Sequence, residues 1–307
     1  MEKIKVAIVG LGNVGFGVLD AVLSEPDMEL MGIVDLLSKD ELKLKIPANR
    51  CSVLEQIRFV NNIDELGKID VAIVSSPSRM VKDIVSGLLK KGINTVDSFD
   101  IHTEITALRR ELNIIAKENN AVSIISAGWD PGIDSVVRGL FLAMAPKGIT
   151  FTNFGPGMSM GHTCAVKVIN GVKNALSVTV PVGMGVHRRM VYVEIENDVK
   201  FEDIEKAIKT DPYFIKDETY VYKVDNVNNL IDMGHGVLME RKGVSGVTQN
   251  QMMKFELRIN NPALTAQIMV SSARAAVKQK PGCYTLIELP VIDFLHGELE
   301  DFVTKLV

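Results

Sequence analysis

Apolar residues in the first part of the chain fall in short, largely β-branched runs, separated by stretches with helical spacing. Ile4–Val9 is one such run and ends on a glycine, and the apolar positions over Asn13–Ser24 repeat as on a helix. Residues 30–34, 58–60, 71–75, 95–97 and 122–126 read as further strands, with 58–60 the weakest of them. Helical patterns over 81–91 and 104–118 lie between. This alternation predicts a parallel sheet with helices on both faces. After about residue 148 the pattern changes. Residues 177–182, 190–196, 237–241 and 255–259 are strand-like, and several alternate polar with apolar positions, as a sheet with one wet face does. A helix is expected over 203–209 and a long alanine-rich one over 262–279. The tail at 284–291 is expected to rejoin the first part. Two domains follow: residues 1–125 with 280–307 returning to them, and residues 126–279.

Length agrees, because 307 residues exceed one ordinary core. A net charge of -4 gives no pull toward nucleic acid or anionic lipid, so neither is expected as a partner. The longest apolar runs are too short to span a bilayer, and the early strand leaves no room for a signal peptide. Three scattered cysteines, Cys51, Cys164 and Cys283, suggest a reducing compartment, here the cytoplasm. The five histidines show no metal-ligand spacing with them, so no metal is assigned.

The first chemical motif is Gly10-Leu11-Gly12-Asn13-Val14-Gly15, directly after a strand and opening a helix. In the dinucleotide-binding pattern the first glycine permits a tight turn, the second admits a pyrophosphate, and the third lets helix and strand pack closely. The helix start offers N–H groups and partial positive charge to phosphates. Six residues alone also fit a ligand-free turn; the flanking elements and an acid at the end of the next strand, Asp35, favour the nucleotide. A carboxylate there accepts the ribose hydroxyls of NAD and repels the 2′-phosphate of NADP. Its other reading is a turn cap. Ser75, Ser76 and Pro77 end the fourth strand, where such sheets form their ligand crevice, and are expected to face the cofactor.

Two further clusters end the fifth and sixth strands. These are Asp97-Ser98-Phe99-Asp100-Ile101-His102 and Ser126-Ala127-Gly128-Trp129-Asp130-Pro131-Gly132. Each supplies a carboxylate and an aromatic ring, and two acids at one sheet edge make an ammonium site. Turn chemistry for Asp130 and core packing for Trp129 are the alternatives.

The second cluster, together with Asn153-Phe154-Gly155-Pro156-Gly157-Met158-Ser159-Met160-Gly161-His162, closely resembles the meso-diaminopimelate dehydrogenase family. So do Gly185-Val186-His187-Arg188-Arg189-Met190, Gly234-His235-Gly236 and Ile259-Asn260-Asn261-Pro262-Ala263-Leu264-Thr265. The likeness runs from residue 3 to the end. It is strongest to the shorter, broader-specificity branch, because the stretch from Pro181 to His187 is short. The resemblance implies an α/β fold: an N-terminal Rossmann doubly wound parallel sheet, plus an α+β substrate and dimerisation domain with an open antiparallel sheet. It implies NAD(P)-dependent oxidative deamination at the D-centre of meso-diaminopimelate by a homodimer. Asp100 and Asp130 match acids that hold the reacting amine, one of which activates water. Met160 and Gly161 match the backbone donors to the adjacent carboxylate. Thr179, Arg189 and His235 match groups on the distant carboxylate, Asn261 one that helps at the L-centre, and Trp129 and Phe154 the pocket lining.

These roles agree with the bare chemistry. Hydride leaves only from a neutral amine, so a nearby carboxylate must take a proton. A second carboxylate on the substrate calls for a fixed cation, and arginine binds it with two parallel bonds. Arg188 and Arg189 face opposite ways on a strand, and only the resemblance selects Arg189. His235 between glycines suggests close backbone approach to a ligand. NADP is usual in the family, where arginines often follow the second strand; Asp35-Leu36-Leu37 favours NAD here. Two other readings stay open: a dehydrogenase of the same fold for another D-amino acid or diamine, and a non-catalytic dinucleotide sensor.

Overall fold

The computed structural model describes residues 2–43, 48–232 and 234–307. They form two compact units, Met1–Gly139 with Pro262–Val307, and Leu140–Asn261.

In the first unit the strands are β1 (Ile4–Val9), β2 (Met28–Val34), β3 (Phe59–Val60), β4 (Val71–Val74), β5 (Asn94–Asp97) and β6 (Val122–Ile124). The helices among them are α1 (Asn13–Ser24), α2 (Lys39–Lys43), α3 (Ala48–Glu55), α4 (Ser78–Leu89), α5 (Ile105–Glu118) and the start of α6 (Ile133–Met144). Among the described residues the strands build one parallel sheet in the order β14-β6-β5-β4-β1-β2-β3, where β14 is Gly282–Tyr284 from the chain's end. Strand β14 pairs through Gly282 with Val122 and through Tyr284 with Ile124.

Alternation along β1 explains why its run from Val6 to Val9 is apolar and buried throughout. Val6 and Ile8 join one cluster with Val18, Leu19 and Val22 of α1. Ala7 and Val9 join the other with Val81 and Val85 of α4 and Leu108 and Leu112 of α5. Burying each such valine, leucine or isoleucine contributes roughly 1.5–3 kcal/mol.

The change of texture predicts boundaries at 125/126 and 279/280; the compact units divide instead at 139/140 and 261/262. The long helix α9 (Asn261–Ala276) accounts for the second shift. Its Met269, Val270 and Ala273 enter the same core as α1. Its buried Arg274 donates to Asp27 Oδ2 at 2.6 Å and to the Phe294 carbonyl at 2.8 Å.

The second unit holds β7 (Lys147–Phe154), β8 (Gly157–Met158), α7 (Met160–Lys167), β9 (Val172–Gly183) and β10 (Val186–Ile195). Next come α8 (Phe201–Thr210), β11 (Glu218–Lys223), β12 (Gly234–Ser245) and β13 (Thr248–Asn260). A single open antiparallel sheet was the simplest expectation, and the strands form two. One runs β11-β10-β9-β8, the other β13-β12-β7. β11 lies parallel to β10, because α8 carries the chain back across before it starts. The last helix, α10 (Leu299–Leu306), belongs to the first unit. Among the described residues no helix is long and apolar enough to cross a membrane.

Candidate active site

The glycine motif lies between β1 and α1. Gly10 has φ +91°, a conformation that L side chains rarely adopt, and a Cβ there would press on Ser76. A Cβ on Gly15 would lie 2.3 Å from the Gly10 carbonyl, so the third glycine is required by packing. Gly12 differs: a Cβ there would meet no protein atom, and no side chain caps α1. Asn13 and Val14 are the first residues of that open helix start. Ser75 Oγ donates to the Gly10 carbonyl at 2.7 Å and Ser76 Oγ to the Val9 carbonyl at 3.4 Å. Both serines therefore brace the motif, and Pro77 leads into α4.

Asp35 follows β2 and reaches back to the same loop. Its Oδ2 accepts the Leu11 N–H at 2.7 Å and its Oδ1 the Leu37 N–H at 2.9 Å. Two bonds leave lone pairs on each oxygen free. Beyond it lies a hollow of about 430 Å³ with Leu37, Lys39, Phe59 and Asn61 among its walls. Lys39 Nζ sits 5.4 Å from the Phe59 ring centre and donates to the Glu55 carbonyl at 3.1 Å.

The acidic clusters stand at the ends of β5 and β6. Asp100 is exposed and accepts the Ser78 hydroxyl at 2.6 Å, which joins its loop to the start of α4. Asp97, beneath it, is fully buried. Its Oδ1 accepts the Phe99 and Ser126 N–H groups at 2.9 and 3.2 Å, and burial pushes its carboxyl up to about 7. Trp129 is buried, at 6% exposure. Asp130 is 12% exposed in its side chain, and Arg138 Nη1 lies 3.5 Å from its Oδ1. The same nitrogen lies 2.6 Å from Oδ2 of Asp134, whose side chain is fully buried. Asp134 and Arg138 escaped the sequence reading. The spacing Asp130, Asp134, Arg138 would find them once a helix is known to start at Ile133.

In the second unit β9 and β10 set Thr179 opposite Arg189. Arg189 Nη1 donates to Thr179 Oγ1, and its Nε donates to Asp217 Oδ2 at 2.6 Å. Asp217, also missed in sequence, thus balances part of the arginine's charge. Arg188 points elsewhere, pairing with Glu218 at 2.7 Å. Gly157 pairs with Thr179 and would, with a Cβ, lie 2.6 Å from His235 Cα. This close approach sets the His235 backbone against β8, the strand that pairs with β9 at Thr179. His235 is buried, and its Nδ1 lies 2.7 Å from the Gly236 nitrogen and 3.0 Å from the Gly236 carbonyl oxygen. The flanking glycines suggest close backbone approach to a ligand. Gly236 in fact admits strand β13: a Cβ would lie 2.7 Å from the Leu257 carbonyl.

Met160 and Gly161 open α7, which no side chain caps. Ser159 Oγ lies 2.8 Å from His162 Nδ1, and His162 Nε2 lies 2.9 Å from the Tyr213 carbonyl. Burial, with Arg189 nearby, lowers His162 to about 4, so its ring is neutral. Phe154 ends β7; its N–H donates to His187 Nε2 at 2.8 Å and the two rings stand 5.5 Å apart. Asn261 opens α9.

Residues 4–124 match the oxidoreductase family with an NAD-binding Rossmann fold, and residues 128–187 the diaminopimelic acid dehydrogenase C-terminal domain. The meso-diaminopimelate D-dehydrogenase of Bacteroides fragilis is 56% identical over the whole of both chains. The chain belongs to the meso-diaminopimelate D-dehydrogenase family. The structure of Corynebacterium glutamicum DAP dehydrogenase in complex with DAP superposes with a TM-score of 0.89 at 27% identity, covering 100% of each chain. An engineered D-amino acid dehydrogenase bound to NADP+ gives 0.84 at 25% identity, over 99% of this chain and 100% of its own. The α/β class with a Rossmann sheet and an antiparallel second part, expected from sequence, is the observed one.

Proposed function

We propose that this protein is an NAD(P)-dependent dehydrogenase of meso-2,6-diaminopimelate. It reversibly deaminates the D-centre to L-2-amino-6-oxopimelate, which cyclises to tetrahydrodipicolinate, and releases ammonia, as a step of lysine and diaminopimelate biosynthesis. The observation that carries this reading is the near-buried Asp130 carboxylate at the edge of the same parallel sheet that holds the glycine motif. The family kinship supports it. The first unit is the dinucleotide-binding part, and the second binds substrate and serves dimerisation in a cytoplasmic homodimer.

Each named residue then has a task. Gly10, Gly12, Asn13, Val14 and Gly15 present the open start of α1 to a pyrophosphate, with Ser75, Ser76 and Pro77 alongside. Nicotinamide chemistry, when the cofactor is bound, supplies hydride acceptance and its reverse. Asp100 and Asp130 hold the D-ammonium, and one of them takes its proton, because hydride leaves only from a neutral amine. After hydride has left, that acid releases its first proton to solvent, takes a proton from the water that adds to the iminium carbon and passes it to the nitrogen; the C–N bond then breaks, ammonia departs, and the new hydroxyl gives its proton to the same carboxylate as the carbonyl forms. The backbone N–H groups of Met160 and Gly161 hold the neighbouring carboxylate. Arg189, Thr179 and His235 hold the distant one, and Asn261 acts at the L-centre. Trp129 and Phe154 exclude water. Asp35 makes NAD the better cofactor, with its free lone pairs facing the ribose hydroxyls.

The test is turnover of meso-diaminopimelate. Asp130→Asn is expected to keep fold and cofactor binding while losing roughly 10²–10⁴ in kcat. If Asp130→Asn and Asp100→Asn both keep wild-type turnover, the amine site is elsewhere.

A further inference from the structure

The loop that carries Asp130 runs straight into α6, and the first turns of that helix place a second acid behind the first. Asp134 is held there by its backbone, whose N–H donates to the Trp129 carbonyl at 3.0 Å. Its side chain is fully buried, and Arg138 Nη1 bridges it to Asp130, lying 2.6 Å from Asp134 Oδ2 and 3.5 Å from Asp130 Oδ1. The charged groups that face it are Asp130 from the loop and Arg138 from its own helix. Ser135 Oγ, at 3.5 Å from Oδ1, adds a weak neutral donor. Arg138 reaches Oδ2 at 2.6 Å but not along an N–H direction, so that shielded oxygen has no aligned hydrogen-bond donor. Two ionised carboxylates in this position would leave a buried anion poorly satisfied and pressed against another. A proton on Asp134 removes both problems, since an O–H facing a carboxylate is a short, charge-assisted bond.

We propose that Asp134 is a positioning residue for Asp130: as a neutral carboxylic acid it donates its O–H to the Asp130 carboxylate, fixing that group and leaving its other lone pairs for the substrate ammonium. This rests on Asp130 being the amine-holding acid. Burial, with Asp130 beside it, pushes the Asp134 carboxyl up to about 8, which agrees with a proton held there at neutral pH. The arrangement also keeps the charge of the amine site to that of Asp130 and Asp100, so a single ammonium is matched without a third anion to satisfy. Arg138, shared between both acids, holds the pair at the helix start.

Three variants test it in the full-length enzyme: Asp134→Asn, Asp134→Val and Asp130→Asn. Asparagine keeps a neutral donor of the same shape, so kcat/KM for meso-diaminopimelate should stay within about 3-fold of wild type. Valine leaves Asp130 without that donor, and kcat/KM should fall roughly 10–100-fold. Equal losses in the asparagine and valine variants, or none in the valine variant, overturn the proposal. If Asp130→Asn itself keeps full turnover, the amine-site reading falls and the proposal falls with it. A loss in Asp130→Asn beside an intact Asp134→Val removes the proposal alone. Stability gives an arm independent of turnover and of whether the valine variant folds. An acid whose folded pKa is raised from 3.8 to about 8 is most stabilising when protonated, so wild-type stability is lost as pH rises through that window. Asp134→Asn lacks this loss, so its Tm relative to wild type should climb from about pH 4 to about pH 8. A variant that is instead less stable than wild type at neutral pH, as loss of an ionised partner of Arg138 would make it, overturns the proposal.

Discussion

At the scale of single residues, Arg188 and Arg189 are neighbours with different surroundings, and their partners tell them apart. Arg188 is spent on a surface pair with Glu218, while Arg189 is partly buried between Thr179 and Asp217. Asp217 holds the guanidinium by Nε at 2.6 Å, so the arginine is fixed before any substrate arrives. Arg189→Met should therefore cost meso-diaminopimelate far more than a D-amino acid without a second carboxylate. A substrate charge left unpaired in a dry site costs on the order of 2–5 kcal/mol, some 30-fold or more in kcat/KM. Comparing kcat/KM for the two substrate classes checks this, and equal losses would make Arg189 a scaffold residue. Strand alternation alone does not distinguish the two arginines, because it says that they face opposite ways but not which way matters; only the family resemblance selects Arg189. Asp217 carried no signal at all, since its role arises only when β10 and β11 pair.

Among the elements, the parallel sheet was legible because its central runs, Val6–Val9 of β1 and Val71–Val74 of β4, are buried on both faces and lack polar interruptions. The second unit was harder. β7 is largely exposed or half-buried, β8 is two residues long, and α7 is short, so none shows a strong period. α6 hid for a different reason: its start follows a turn-like Asp-Pro-Gly, and Asp134 and Arg138 went unread with it. The loop after β2 was legible in charge and only half legible in role. Asp35 is a turn cap, as its bonds to Leu11 and Leu37 show, and those same bonds aim it at the glycine motif. A 2′-phosphate brought to about 4 Å from this carboxylate is repelled by roughly 4 kcal/mol at an effective dielectric of about 20, before screening. Lys39 opposes this from the wall of the adjoining hollow. The wild type should use NAD at least as well as NADP, and Asp35→Arg should shift preference toward NADP by adding a phosphate fork. Measuring kcat/KM for both cofactors in both proteins decides it. A strong wild-type preference for NADP that survives the substitution would detach Asp35 from the ribose.

For the molecule as a whole, the buried ionisable groups divide between the two units with opposite sign. The first unit holds Asp97, raised by burial to about 7, and Asp134, raised to about 8. Between the ordinary value of 3.8 and those values, the folded unit binds more protons than the unfolded chain, so its stability falls as pH rises. The second unit holds His162, lowered by burial and by Arg189 from 6.5 to about 4, and His187, lowered for the same reasons. There the unfolded chain binds more protons, so stability is full above about 6.5 and is lost as pH falls toward 4. Acids held low by partners, such as Asp27 beside Arg274, act only below the ordinary carboxylate range and leave the window above it untouched. Each fully coupled group gives a slope of about 1.4 kcal/mol per pH unit. Hydrogen exchange, corrected for its intrinsic pH dependence, reads both units in one sample. From about pH 5 to about pH 6.5, protection in β9, β10 and α8 should rise, while protection in β1, β4 and β5 should fall. Trp129, the sole tryptophan, lies in the first unit, so its fluorescence melting should move down in temperature over the same range. A rise in protection in both units would mean that Asp97 and Asp134 are ionised in the folded protein, and a fall in both that His162 is charged in it.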